Sequence, residues 1–251
     1  GMEYYKSGAW QKINNVPLPP EFGIALYDGN SSTNNITGLG FAPDWVWIKE
    51  RGPSSEQSNL YDTSRGVQKF IVSNSTAGEV TGSSNRLNAF GSDGFTVGTQ
   101  PHAGGDGKTY VGFAWKANGG TATATGTESG NNPAYSVQAN QTAGFSIVTY
   151  TGTGSLTTVG HGLGVAPDVI IVKNRESSYN WAVWHTKLLS AAYVVNLNLT
   201  SVQGSIPGIF NSTLPTSTVF SLGGGSQADR FLSNEPNKDF IAYIFLSLIH
   251  I

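Results

Sequence analysis

The sequence predicts an all-β protein, and three observations predict it. Charged residues make up only 12% of 251 residues, against roughly 25% in a typical globular chain, whereas long soluble helices draw heavily on Glu, Lys and Arg. Glycine fills 32 positions. The remaining runs are Thr, Val, Ile, Phe, Tyr and Trp broken by Gly, Asn, Ser and Pro, the vocabulary of short strands and turns.

Internal similarity refines that class. "GLGFAPDWVWIKER" (Gly38 to Arg51) returns as "GLGVAPDVIIVKNR" (Gly162 to Arg175), with eight of fourteen positions identical. Upstream, "FGIALYDGN" (Phe22 to Asn30) pairs with "FSIVTYTGT" (Phe145 to Thr153). Downstream, "NLYDT" at Asn59 pairs with "AVWHT" at Ala182, "GFTVG" at Gly94 with "VFSLG" at Val219, and "YVGFAW" at Tyr110 with "FIAYIF" at Phe240. The order is kept while the offset drifts from 123 to 130 positions. This predicts a tandem duplication of a unit of roughly 100 residues.

The expected architecture is two tandem β-sandwich (jelly-roll-like) domains related by internal duplication. The first repeat spans residues 19–117 and the second 144–245. Between them, 118–143 is rich in Gly, Thr and Asn and reads as a linker or extended surface arm. Residues 1–18 read as an N-terminal strand-turn-strand element of a longer protein. Residues 246–251 read as a non-native tail. "LSLIHI" is one reading frame of CTGTCTCTTATACACATC, which is similar to a transposon-end adapter, so His250 is expected to be no site.

Each part of the repeated phrase has a physical role. Gly38 and Gly40 permit a tight turn. Pro43 lacks an N–H and belongs at a strand's start or edge, and Asp44 is placed to cap neighbouring turn amides. "WVWIK" then runs as a strand with Trp45 and Trp47 on one face and Val46 and Ile48 on the other. Both faces are apolar in both copies, so the strand is expected to be covered twice. One cover is the sandwich core; the other is the linker, the sister domain or another subunit.

The search for chemistry is mostly negative. "HAGGDGKTY" (His102 to Tyr110) ends like a phosphate-binding loop, but His102 stands where that motif needs Gly, and a strand follows where it needs a helix. No G-x-S-x-G is present. His161 and His185 are replaced by Thr37 and Asp62 in the first copy, so His161 is expected to be a turn residue bonding to backbone. A His161–His185–Asp168 metal cluster has no ligand spacing behind it. Asp93, Asp106 and Glu79 fall in loops, with nothing bringing them together as a hydrolase pair. No enzyme activity, cofactor or metal is expected. The net charge of −2 removes the footprint of a nucleic-acid binder. With no cysteine, disulfides are excluded. "FIAYIFLSLI" (Phe240 to Ile249) is too short to span a bilayer as a helix, so no membrane insertion is expected. The start, "GMEYYKSGAW", has neither a basic segment nor an apolar h-region.

The candidate ligand or interface contacts are therefore repeated polar residues and aromatics. Lys49 with Arg51, and Lys173 with Arg175, lie two apart on one strand face. They read as a solvated or ion-paired strand end, or as a contact with a neighbouring subunit. Trp45 and Trp47 share one of the strand's two apolar faces. Tyr179 and Trp181 flank Asn180 with no aromatic counterpart in the first copy, which places them in a loop as surface contacts, including a sugar platform.

The phrases "GFAPDWVWIKER", "SDGFTVG", "YVGFAWKANGG", "VGHGLGVAPDVIIVKNR" and "TSTVFSLG" resemble a tandem domain of structural proteins in tailed phages, notably marine environmental ones. "MEYYKSGAWQKI" is similar to an element that precedes such domains in tail fibres. The resemblance implies a non-enzymatic virion module on the particle surface, part of a tail fibre or appendage for host attachment. Its implied partners are other virion proteins and host surface glycans, and its implied assembly is a homo-oligomer, with a trimer favoured. A carbohydrate-binding, lectin-like module on a phage or bacterial surface is the alternative.

Overall fold

The computed structural model describes residues 21–52, 57–82, 85–224 and 228–246, together with the backbone of Glu3–Lys6 and Ala9–Lys12. The fold is all-β and antiparallel throughout. Strands β1 (Glu3–Lys6) and β2 (Ala9–Lys12) pair with each other, with Glu3 opposite Lys12, within the segment expected to be a strand-turn-strand element.

The first half contains β3 (Phe22–Asp28), β4 (Asn34–Thr37), β5 (Trp45–Glu50), β6 (Asn59–Asp62), β7 (Lys69–Val72), β8 (Val80–Thr81), β9 (Leu87–Gly91), β10 (Gly94–Val97) and β11 (Thr109–Trp115). The second contains β12 (Ala124–Gly126), β13 (Tyr135–Asn140), β14 (Phe145–Thr151), β15 (Thr157–Gly160), β16 (Val169–Asn174), β17 (Ala182–His185), β18 (Tyr193–Asn196), β19 (Gly204–Ser205), β20 (Val219–Leu222) and β21 (Asp239–Phe245). A single helical turn, α1 (Pro207–Phe210), starts on a proline, whose fixed φ suits a helix's first turn.

Every repeated phrase falls on a strand, and the strands take matching places. The first half's large sheet runs β3-β11-β5-β6-β7-β8, and the second contains β14-β21-β16-β17-β18-β19 in the same order. β10 pairs with β4 in one small sheet and β20 with β15 in another. Backbone bonds repeat as well. Asp44 N–H donates to the Trp115 carbonyl and Asp168 N–H to that of Phe245; Arg51 N–H donates to Thr109 and Arg175 N–H to Asp239. Gly38, Gly40, Gly162 and Gly164 all have φ between 72° and 95°, a region that favours residues without a Cβ. The invariant part of the phrase is thus the shaped entry to a central strand.

Four sheets enclose three cores. Val46, Ile48, Tyr61, Phe95 and Val97 fill the first sandwich. Val148, Ile170, Val172, Trp184 and Phe220 fill the second. The third core lies between the large sheets and mixes Trp45, Leu60 and Ile71 with Phe145, Ile147, Trp181, Ile241 and Tyr243. The second apolar face of "WVWIK" is therefore covered by the sister half.

One expectation needs correction. The expected linker, 118–143, contributes β12 and β13 to the second sheet, extending it to eight strands. Its composition hid this because β13 alternates Tyr135, Val137 and Ala139 with Ser136, Gln138 and Asn140, so only one face is apolar. Of the segment expected to be foreign, Leu246 donates its N–H to the Gly144 carbonyl, while residues 247–251 lie outside the described residues. Among the described residues no helix is long and apolar enough to cross a membrane.

Candidate functional site

The sequence-predicted residues converge mainly on the junction between the halves. Asp44, just before β5, is buried and holds a turn from the end of the first repeat. Its carboxylate accepts from the N–H groups of Ala117 at 2.7 Å, Gly119 at 3.0 Å and Gly120 at 3.0 Å, and from the Thr63 hydroxyl at 2.8 Å. Gln138 of β13 reaches the same turn, accepting from Gly120 N–H at 2.8 Å and donating to the Ser64 hydroxyl. Asp44 does cap turn amides, but those of Ala117, Gly119 and Gly120, 73 to 76 positions along the chain, and not those of the neighbouring turn; Gln138 ties the same turn to a second-half strand.

Next to it, Trp45 is 1% exposed. Its ring centroid lies 4.6 Å from Trp115, 4.6 Å from Tyr243, 5.6 Å from Phe145 and 5.7 Å from Phe245. Each such pair adds roughly 0.5–1.5 kcal/mol beyond area burial. Trp47 is half-buried on the same face, 6.5 Å from Phe113.

Trp181 does not lie at the surface, as its loop setting implied. It is fully buried, and its indole N–H donates to the Val72 carbonyl at 3.0 Å. The turn before β17 aims it at the first half, a pairing that local sequence does not encode. Tyr179 is half-buried with its ring tilted against Phe231, centroids 6.0 Å apart. Together these two do not form an open sugar platform.

The two Lys/Arg pairs have different fates. Lys49 is half-buried and Arg51 exposed. Lys173 is fully buried, donating to the carbonyls of Asn174 at 2.7 Å and Ser177 at 3.3 Å. Burial disfavours its charged form and pushes its pKa down to about 8. Arg175 crosses to the first half, where its Nε lies 3.0 Å and its Nη2 3.1 Å from the Glu79 carboxylate.

Glu79 also accepts from Arg65, and Arg65 extends to Asp62, the Leu60 carbonyl and the Tyr243 hydroxyl, which itself donates to Asp62 at 2.7 Å. Burial alone would raise the Glu79 pKa, but the hydrogen bond from Arg175 and the Arg65 charge outweigh it and hold the carboxyl below its usual range. Burial pushes the Tyr243 hydroxyl well up. Sequence reasoning missed this network. Its signals were Arg175, read as an ion-paired strand end, and the exchange of Asp62 for His185 between the copies; neither names a partner across the halves.

Other candidates are occupied by the protein's own groups. His161 is buried; its Nε2 contacts the Thr216 carbonyl at 3.1 Å and its Nδ1 accepts from Leu163 N–H at 3.3 Å, the backbone-bonded turn role expected of it. Burial lowers its pKa. In the His102 to Tyr110 loop, the Tyr110 hydroxyl donates to the Pro101 carbonyl and accepts from Gly105 N–H. A groove of about 590 Å³ runs past Asn118, Asn140 and Gln141, whose side-chain amides donate to the carbonyls of Thr121, Lys116 and Gly162.

Fold and junction together define a class: an all-β chain whose two topologically matched sandwiches are fused by a shared third core. Residues 21–249 match a family described as a domain of unknown function (DUF7483), and the chain belongs to that family. The match runs across both halves and through the first residues of the tail segment. No curated protein and no solved structure matches the chain.

Proposed function

We propose that the chain is a non-enzymatic structural module of a phage virion, part of a tail fibre or surface appendage that serves host attachment. In this reading it works as a homo-oligomer alongside other virion proteins and faces host surface glycans. The observation that carries the reading is the junction. The aromatic stack on Trp45, the Trp181–Val72 bond and the Arg65–Glu79–Arg175 bridge join two sandwiches into one block, as a load-transmitting surface module requires. The resemblance of the chain's repeated phrases to phage structural domains points the same way.

The test is the genomic setting of the gene. Adjoining tail, baseplate or capsid genes support the proposal, and a setting among metabolic genes overturns it. The lectin alternative now lacks its best residue, because Trp181 is buried. It would need another surface, and a glycan array with the intact chain decides whether any exists.

A further inference from the structure

Asn118 and Gly119 form the chain's sole Asn–Gly step, since every other asparagine precedes a different residue. Such a step carries a latent reaction of its own. Glycine has no side chain to crowd its backbone nitrogen, so that nitrogen can reach the side-chain carbonyl carbon of the asparagine before it. The new N–Cγ bond closes a cyclic imide and the Cγ–Nδ2 bond breaks. The amide nitrogen leaves as ammonia, taking the proton from the glycine nitrogen. Water then opens the ring at either carbonyl. One product is an ordinary aspartate; the other (isoaspartate) routes the main chain through the side-chain carbons.

The fold ties down both reacting nitrogens. Residues 118–121 make a turn closed by the Thr121 N–H on the Asn118 carbonyl at 3.1 Å. Its φ values, 64° at Gly119 and 79° at Gly120, give the doubly positive pattern of a type I′ turn. The nucleophile, the Gly119 nitrogen, donates its N–H to the buried Asp44 carboxylate at 3.0 Å. The leaving group, Asn118 Nδ2, donates to the Thr121 carbonyl at 2.8 Å. The Asp44 charge also opposes loss of the Gly119 proton, because it repels the negative charge that would develop there. Bonds from Ala117 and Gly120 to the same carboxylate keep the turn seated. Water is not withheld: Asn118 is exposed and lines the groove of about 590 Å³.

We infer that Asn118 is a deamidation site that Asp44 holds latent. The reaction runs only while the turn is lifted off Asp44, so its rate follows that local opening. The product then hinders re-seating. Its carboxylate is a second negative charge beside the one that grips the turn, and the isoaspartyl form lengthens the backbone between Ala117 and Gly120. A transient opening at the end of the first repeat thereby becomes a lasting one, in the turn that Gln138 of the second half also holds. The inference goes beyond the proposed function and is independent of the virion assignment.

The test is peptide mapping by mass spectrometry on the full chain in mildly alkaline buffer, folded and in denaturant. Conversion at Asn118 is expected to be at least about tenfold slower in the folded wild type than in the unfolded chain. Asp44→Ala should convert near the unfolded rate while the amides of β5 and β11 stay protected from hydrogen exchange. If Asp44→Ala does not fold, Asp44→Asn replaces it; this variant keeps an acceptor without the charge, and its rate should lie between the two. The converted wild-type fraction, separated by its added negative charge on anion exchange, should melt below the unconverted one. A folded wild type that converts as fast as the unfolded chain, or a folded Asp44 variant that converts as slowly as the wild type, overturns the latency. Equal melting of the two fractions overturns the lasting opening.

Discussion

The indole N–H of Trp181, from the second half, donates to the carbonyl of Val72, from the first, at 3.0 Å. Because Trp181 is also fully buried among residues of both halves, its loss weakens the junction without touching either sandwich core. Trp181→Phe removes the bond and part of the packing, for an expected cost of about 2 kcal/mol. In a domain of this size that lowers the melting temperature by about 4–8 °C. Calorimetry should still show one transition, since the halves share a core. A variant that melts as the wild type does would mean the junction contributes little.

Glu79 bridges Arg65 and Arg175, and so joins β6–β7 to β16 by charge. Glu79→Gln leaves two guanidinium groups close together without their shared anion, for an expected loss of about 2 kcal/mol at neutral pH. The wild type should also show a dependence on acid. A carboxyl held below its ordinary pKa contributes stability that is complete above the unfolded value and disappears as pH falls through the folded one. Urea midpoints of the wild type should therefore fall on acidification, and Glu79→Gln should fall less. Parallel acid limbs would contradict the bridge.

Asp44 holds three backbone N–H groups and a hydroxyl, so Asp44→Ala strands the Ala117–Gly120 turn. Hydrogen bonds to a charged acceptor are worth about 1.5–3 kcal/mol each, though not additively, and an overall cost of about 3 kcal/mol is expected. Hydrogen exchange gives the sharper measurement. The amides of Ala117, Gly119 and Gly120 should lose protection well before those of β5 and β11. Uniform loss across the sheet would mean the turn is held by other contacts.

What was legible in the sequence was local. Alternation and turn residues located the strands, and the repeat located their equivalents. The two apolar faces of Trp45–Ile48 announced a second cover, because burial leaves its mark on the buried strand itself. The identity of that cover was not legible, since the burying partner, β14 with β21, lies about a hundred residues away or more. Trp181 was misplaced for the same reason: its loop is local, and its acceptor, Val72, is not. β13 was hidden because Gln138, on its junction side, satisfies Gly120 and Ser64 by hydrogen bonds and so leaves no apolar signature. Arg175 and Lys173 share a repeated phrase with Arg51 and Lys49, yet Arg175 reaches Glu79 of the opposite half while Lys173 is buried on carbonyls of its own half, because the halves contribute to the junction unequally.

Lys173 makes that inequality measurable. Among the described residues its ammonium donates to two carbonyls and pairs with no carboxylate. Burial disfavours the charged form and pushes the pKa from 10.5 to about 8. Between those values the unfolded chain binds more protons than the folded one, so stability rises with pH across that window by about 2–3 kcal/mol. Above pH 10 the buried hydroxyls of Tyr61, Tyr150 and Tyr243, all raised by burial, reverse the trend, because the unfolded chain loses those protons first. Urea midpoints should therefore climb from about pH 8 towards 10 and then fall. Lys173→Met should remove the climb and stabilise the protein at neutral pH by about 1 kcal/mol, since a buried charge without a partner is replaced by a side chain of similar length. A wild-type curve that stays flat up to pH 10 would mean that water reaches the ammonium and that the junction is open at this point.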